Sequence, residues 1–274
     1  MPRIDYGASI KLLVSVRGHP FDRNGFDSVF SNLDDVSATM VDQPAAALLM
    51  RPEAMTDFDV LVLYDMPGLD LRDGPHRPIV VEPNAAVKEG LSRLLDCGKG
   101  VLALHHALAG WPSWPEYGEW LGGRFLYRPG VVRGRMRSDS GYRHDVKHSL
   151  HVVAEHPVMT GLPREFEMVD ELYLAEVFED DLLPLLTSSY GYAAENFWSA
   201  SAAMDGSVFS RDGWSHPPGS NIVGWVKRAR RSPLVYLQAG DGIVAYENPY
   251  FRQLVANAVR WLASPQSLEW ARQV

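Results

Sequence analysis

The sequence predicts an α/β fold: a parallel sheet with helices on both faces and elaborated loops. Three observations predict it. Runs that are apolar at nearly every position recur at residues 10–16, 58–64 and 101–104, as expected of strands buried on both sides. Between them, residues 24–33 and 84–96 carry the apolar spacing of amphipathic helices. The first two runs end in turn residues, Arg17-Gly-His-Pro20 and Asp65-Met-Pro-Gly68. Alternating strands and helices build parallel sheets. We read residues 1–274 as one domain, since no internal repeat or linker is visible.

The elements follow in order. The run at 10–16 is rich in β-branched residues and makes the first strand. A short helix over 24–33 puts Phe26, Val29, Phe30 and Leu33 on one face. Residues 36–41 make a second strand and 58–64 a third. Asn84 caps a helix running to Asp96, with Val87, Leu91, Leu94 and Leu95 inward. Gly98-Lys-Gly100 ends it, and 101–104 runs straight into His105-His106. Beyond this the pattern is less regular. Residues 111–120 are an aromatic loop or short helix, and 123–145 read as an Arg/Gly-rich loop. Strands are expected at 149–153, 182–186, 221–227 and 234–238, and Asp170-Glu-Leu-Tyr173 sits just before another extended stretch. Residues 190–220 read as a long surface loop. Asn248 and Pro249 open the last helix, with a stripe of Phe251, Leu254, Val255, Ala258 and Trp261.

In open parallel sheets, ligands sit beyond the carboxyl ends of the strands. That rule collects Arg17, His19 and Asp22 from the first strand, Tyr64 and Asp65 from the third, and His105 and His106 from the fourth. Asp22 has a competing reading as a helix cap, and Asp65 as a turn residue. His105 stands at a strand-to-helix corner where a hydrolase would carry Ser or Cys. It can serve as acid/base, oxyanion donor or metal ligand, or simply close the sheet edge. His106 is read equally as packing. His144-Asp-Val-Lys-His148 imitates metal-ligand spacing, but in a loop-to-strand stretch, so we expect a surface loop.

Composition bounds the partners. A content of 46% hydrophobic residues excludes a disordered chain. The net charge of −8 argues against nucleic acid. No apolar run approaches the ~20 residues that span a bilayer, and the N-terminus lacks the pattern of a signal peptide, so a cytoplasmic protein without membrane partners is expected. Cys97 is the one cysteine. It excludes a disulfide framework and Cys-based zinc and reads as a buried thiol at a helix end. P-loop, G-x-S-x-G and H-E-x-x-H signatures are absent. Gly98-Lys-Gly-Val-Leu-Ala103 spells G-x-G-x-x-A but precedes a strand, the wrong context for a dinucleotide.

Motifs in order along the chain carry a family resemblance: Arg17-Gly-His-Pro-Phe-Asp22, Asp59 to Asp65, Gly98 to His105 with Trp111 beyond, Leu121-Gly-Gly-Arg-Phe125, Glu155-His-Pro-Val-Met-Thr-Gly161, Asp170-Glu-Leu-Tyr173, Gln238-Ala-Gly-Asp241 and Asn257-Ala-Val-Arg-Trp261. Together they resemble the ThuA-like family, named for trehalose utilisation, whose fold is flavodoxin-like and related to class I glutamine amidotransferases. The resemblance implies that His105 occupies the position of the amidotransferase Cys, so thiol-based glutamine hydrolysis is not expected. Two departures stand out. Gly240-Asp241 replaces a common Gly-His, and Arg128-Pro129 replaces a common His-Pro. Asp241 can still bind a cation or hold an imidazole, and Arg128 can clamp an anionic group.

The expected function is acid/base chemistry on a sugar or sugar derivative, by hydrolysis or isomerisation, with a divalent metal ion as the candidate cofactor. His105, His106, His19, Glu171 and Tyr173 are the candidate catalytic residues. His105, Glu171 and Asp241 are the candidate metal ligands. Trp111, Tyr64, Asp65, Arg128 and Asp22 are the candidate substrate contacts; a Trp111–Trp120 segment can present aromatic faces to a sugar or clamp itself to the core. The alternative is a non-catalytic sugar-binding or regulatory module on the same scaffold. A homo-oligomer is compatible with the sequence.

Overall fold

The first apolar run forms β1 (Ile10–Val16), buried from Leu12 onward. Parallel neighbours β2 (Val36–Asp42) and β3 (Val60–Leu63) flank it, and β4 (Gly100–Leu104) pairs in parallel with β3. These positions come from a computed structural model that describes residues 5–70 and 78–273. Residues 1–4 of the N-terminal stretch read above lie outside the described residues. Among the described residues no helix is long and apolar enough to cross a membrane.

The second half of the chain continues the same sheet in the antiparallel sense. β5 (Gly141–Val152), β6 (Glu165–Leu174), β7 (Leu183–Ser188), β8 (Ile222–Ala229) and β9 (Ser232–Leu237) complete the order β6-β5-β7-β8-β9-β4-β3-β1-β2. The β9–β4 pair is parallel, and every step from β9 out to β6 is antiparallel.

Strand alternation splits the core into two layers. Leu12, Val14, Val62 and Leu102 face one side, against α1 (Arg23–Ser31) and the long helix Pro249–Leu262. Leu13, Leu61, Leu63 and Val101 face the other, against α2 (Ala85–Asp96) and α3 (Pro115–Leu121). The helix starts follow their caps: Asp22 Oδ1 accepts from the Gly25 N–H at 3.0 Å and Asn84 Oδ1 from the Val87 N–H at 3.0 Å. Asn248 caps α4 (Pro249–Leu262), with Pro249 in its first turn. At Gly100 a Cβ would lie 2.6 Å from the Leu262 carbonyl oxygen, so glycine lets α4 end directly on the sheet.

Several expectations need correction. The loop read over 123–145 contains a short hairpin, Gly130–Val132 paired with Arg135–Arg137, and gives way at Gly141 to the twelve-residue β5. Its polar residues hid the strand, and a bulge between Arg143 and Val146, with Asp145 at φ 54°, breaks the alternation. Asp170 to Tyr173 lies inside β6. Within 190–220, Ser199 caps a helix over Ala200–Met204; its small residues show no apolar stripe. Cys97 is exposed, because it caps the C-terminus of α2 at the sheet edge opposite the strand ends. In addition, α5 (Pro265–Arg272) follows α4, so α4 is not the last helix.

The bulge turns His148 inward, where its Nδ1 meets the Ser188 hydroxyl at 2.8 Å. Burial pushes its imidazole down to about 4 from an ordinary 6.5. Between those values the unfolded chain binds a proton that the folded one refuses, so stability falls as pH drops through this window. His148→Asn is expected to remove this penalty. Its urea-derived stability relative to wild type should improve by about 3 kcal/mol on going from pH 7 to pH 4, and a pH-independent difference contradicts the assignment.

Candidate active site

Register brings the site together. Leu104 pairs with Leu237 and Ala103 with Leu63, so β3, β4 and β9 end side by side. At that edge the chain turns sharply at His105, whose φ of 33° is left-handed, in the manner of a nucleophile elbow. The β5–β6 pair curls over the same edge. The Tyr173 N–H donates to Gln238 Oε1 at 3.0 Å, and alternation along β6 points Glu171 and Tyr173 inward.

The core of the site is a buried chain of imidazoles and carboxylates. His105 Nδ1 donates to the Gln238 carbonyl, and its Nε2 lies 2.9 Å from Glu171 Oε2. The other oxygen of Glu171 lies 3.2 Å from His144 Nδ1. His106 Nδ1 meets the Tyr173 hydroxyl at 3.2 Å, and the His19 ring lies over His106 with centroids 4.1 Å apart. Asp241 Oδ1 approaches His106 Nε2 at 3.6 Å and His105 Nε2 at 3.8 Å.

Electrostatics separate the two histidines. Burial alone would lower His105, but the Glu171 hydrogen bond and charge outweigh it, helped by Asp241 and Asp170, and raise it to about 9. His106 goes the other way: burial, with the neighbouring His105, His19 and His144, holds it well below its ordinary value. Glu171 would be raised by burial, yet its bond to His105 keeps it below the ordinary carboxylate range. Asp170 rises to about 6 through burial, against the pull of His105 and two backbone N–H groups.

Four ligand atoms, from His105, His106, Glu171 and Asp241, lie within 4.8 Å of one another. Two of them, His106 Nε2 and Asp241 Oδ1, are buried and have no hydrogen-bond partner among the described residues. Orphaned polar atoms facing each other are costly unless something lies between them. His105 donates its Nδ1 hydrogen to a backbone carbonyl, the second-sphere arrangement typical of a metal-bound imidazole. Mixed imidazole and carboxylate donors suit Zn²⁺, Mn²⁺ or Fe²⁺. The residues present therefore fit a divalent cation, and ligation would take the His105 Nε2 proton away.

Beside the cluster opens a cavity of about 300 Å³ lined by His19, Phe125, Tyr127, Tyr142, His144, Glu171 and Tyr173, with an aliphatic wall that includes Met66, Ala203, Met204 and Val208. Of the expected residues, His105, His106, His19, Glu171, Tyr173 and Asp241 converge here. Others go elsewhere. Asp22 caps α1. Asp65 is buried, accepting from Ser15 and the Gln43 amide. Arg128 makes a two-pronged surface pair with Asp205. Tyr64 lies beneath Asp241. Trp111 lines a neighbouring groove with Arg17 and Gly68, while Trp114 and Tyr117 pack into the core. His144 is a site residue that the surface-loop reading set aside; the bulge turns it towards the cavity and His148 away. Tyr142, Gln238 and Asp170 were also missed. Strand alternation through Tyr173 and its partner Tyr142 is the signal that would have found Tyr142.

A family model described as trehalose utilisation (ThuA) matches residues 21–262. A solved structure from Parabacteroides merdae, described as a candidate ThuA-like protein, is similar with a TM-score of 0.62 at 14% identity, covering 94% of this chain and 90% of that one. Another, from Bacteroides uniformis with the same description, has a TM-score of 0.63 at 16% identity, covering 95% and 94%. A candidate GMP synthase component from Thermoplasma acidophilum has a TM-score of 0.52 at 13% identity, covering 97% and 100%. These likenesses carry the fold. No curated protein matches the chain.

Proposed function

The chain belongs to the ThuA trehalose-utilisation family, and on that premise we propose that it is a cation-dependent acid/base enzyme acting on a sugar or small sugar derivative, by hydrolysis or isomerisation. The observation that carries this reading is the facing pair of orphaned buried atoms, His106 Nε2 and Asp241 Oδ1, beside the His105–Glu171 pair. A bound cation would stabilise negative charge developing on a substrate oxygen. His105, His106, Glu171 and Asp241 would hold it. Glu171 and His144 line the cavity 3.2 Å apart, and in this reading they would move a proton at a substrate hydroxyl or carbon. Phe125, Tyr127 and Tyr142 offer rings to the apolar face of a sugar, the part first expected of Trp111. Burial of the cluster excludes bulk water and strengthens its charge interactions.

Turnover of a panel of free sugars and glycosides, followed by NMR product analysis, tests the reading. Activity should disappear with EDTA and return with one divalent ion, and should be absent in His105→Ala. Turnover indifferent to both treatments overturns it. Sugar binding seen as a thermal shift, without any product across the panel, overturns the catalytic part in favour of a binding module.

A further inference from the structure

We propose that Asp170 is a positioning residue: by accepting the backbone N–H groups of Gly240 and Asp241 it aims the Asp241 carboxylate at the two histidines. The proposal rests on the reading of the cluster as a cation-binding site. Asp170 and Glu171 are neighbours on β6, and alternation turns them to opposite faces. Glu171 enters the cluster, while Asp170 passes beneath it, 5% exposed. There one oxygen accepts from the Gly240 N–H at 2.6 Å, and the other from the Asp241 N–H at 3.0 Å and the Glu171 N–H at 3.0 Å. Three backbone donors are what make a carboxylate tolerable at such burial. A single side chain thus joins the strand that carries Glu171 to the loop that carries Asp241.

The other side of the Asp241 backbone is held as well. Its carbonyl lies 3.0 Å from the Tyr64 hydroxyl and 3.1 Å from the Tyr246 hydroxyl, which meet each other at 2.5 Å, so one hydroxyl donates to the carbonyl and the other to its neighbour. With N–H and carbonyl both fixed, only side-chain rotation is left to Asp241, and its Oδ1 stands 3.6 Å from His106 Nε2. Gly240 makes the approach at φ +119°, where a Cβ would sit 3.0 Å from the Phe251 ring. Holding the strand alone would not require Asp170, because Gln238 already bonds Tyr173 through both ends of its carboxamide. What Asp170 adds is the orientation of the loop.

Asp170→Asn tests this in the full-length protein. The amide keeps the shape but sets its NH₂ against one of the loop N–H groups. In the metal-free variant, hydrogen exchange should speed up at Gly240 and Asp241 while the β4 and β9 amides stay protected. Co²⁺ affinity, by calorimetry, should fall about 10–100-fold. In an Asp241→Asn background the same change should cost at most a small factor, because Asp170 acts through Asp241. Unchanged protection at 240–241, or an equal loss of affinity in both backgrounds, overturns the proposal. Wild type that takes up no Co²⁺ overturns the cation reading instead, and the exchange pattern then decides for or against the clasp. Should the amide fail to fold, Asp170→Ser, which still offers one acceptor, is put through the same measurements with the same outcomes.

Discussion

Replacing Glu171 by glutamine is expected to lower turnover about a hundred- to ten-thousandfold while leaving the fold intact. Glutamine fills the same space and can donate its amide N–H to the Nε2 of a neutral His105, whose Nδ1 hydrogen stays on the Gln238 carbonyl, so the loss isolates the charge. Two consequences follow at neighbouring groups. The carboxylate–imidazole pair at 2.9 Å becomes a neutral contact, and His144 loses its partner at 3.2 Å. In the metal-free protein His105 stands near 9 because Glu171 outweighs burial. Without that charge burial prevails, and the imidazole should titrate below its ordinary value, as followed by ¹⁵N NMR. The sign for stability is set by the same shift. A raised histidine contributes stability that is full below its unfolded pKa and fades as pH rises through about 9. The variant should therefore lose stability relative to wild type at pH 6 and recover part of that deficit at pH 10. Turnover within tenfold of wild type, or His105 still titrating near 9, contradicts this account.

The second large effect is on the fold. Trp225 on β8 is fully buried, stacks on Tyr236 with ring centroids 4.3 Å apart, and donates its indole N–H to the Leu121 carbonyl at 2.8 Å. Trp225→Ala leaves a large cavity and an unpaired carbonyl at the end of α3, and should cost about 3–5 kcal/mol in urea denaturation. It should also reach the site, since the Tyr236 hydroxyl donates to the His105 carbonyl at 3.2 Å and helps hold that strained corner. A loss below about 1 kcal/mol would mean that β8 and α3 are not coupled as described.

The parallel half of the sheet was legible because its strands are apolar at almost every position and its helices carry explicit caps, Asp22 and Asn84. The rule that ligands lie beyond strand ends found His105, His106 and His19 on that basis alone. It says where a strand stops, not which way the next side chain turns. Tyr64 and Asp65 sit at the expected edge but point beneath it, one supporting Asp241 and the other closing on Ser15 and Gln43. The antiparallel half was harder to read. β5 mixes Arg, His, Asp and Lys, and one bulge residue, Asp145, reverses the facing of everything after it. That is why His144 and His148, which look like a pair four residues apart, end on opposite faces. Glu171 and Asp241 came from motif order; nothing local announces that a strand at one end of the sheet order curls back over β4. Asp170 was hidden for the same reason, since its partners lie seventy residues away in the loop after β9.

Anomalous diffraction from crystals grown from metal-free protein and soaked in Mn²⁺ or Zn²⁺ tests the central claim most directly. One strong peak is expected between His105 Nε2, His106 Nε2, Glu171 and Asp241, lost in Asp241→Ala. A cluster that stays without a peak while the ion binds elsewhere, or a peak that survives removal of Asp241 unchanged, contradicts it.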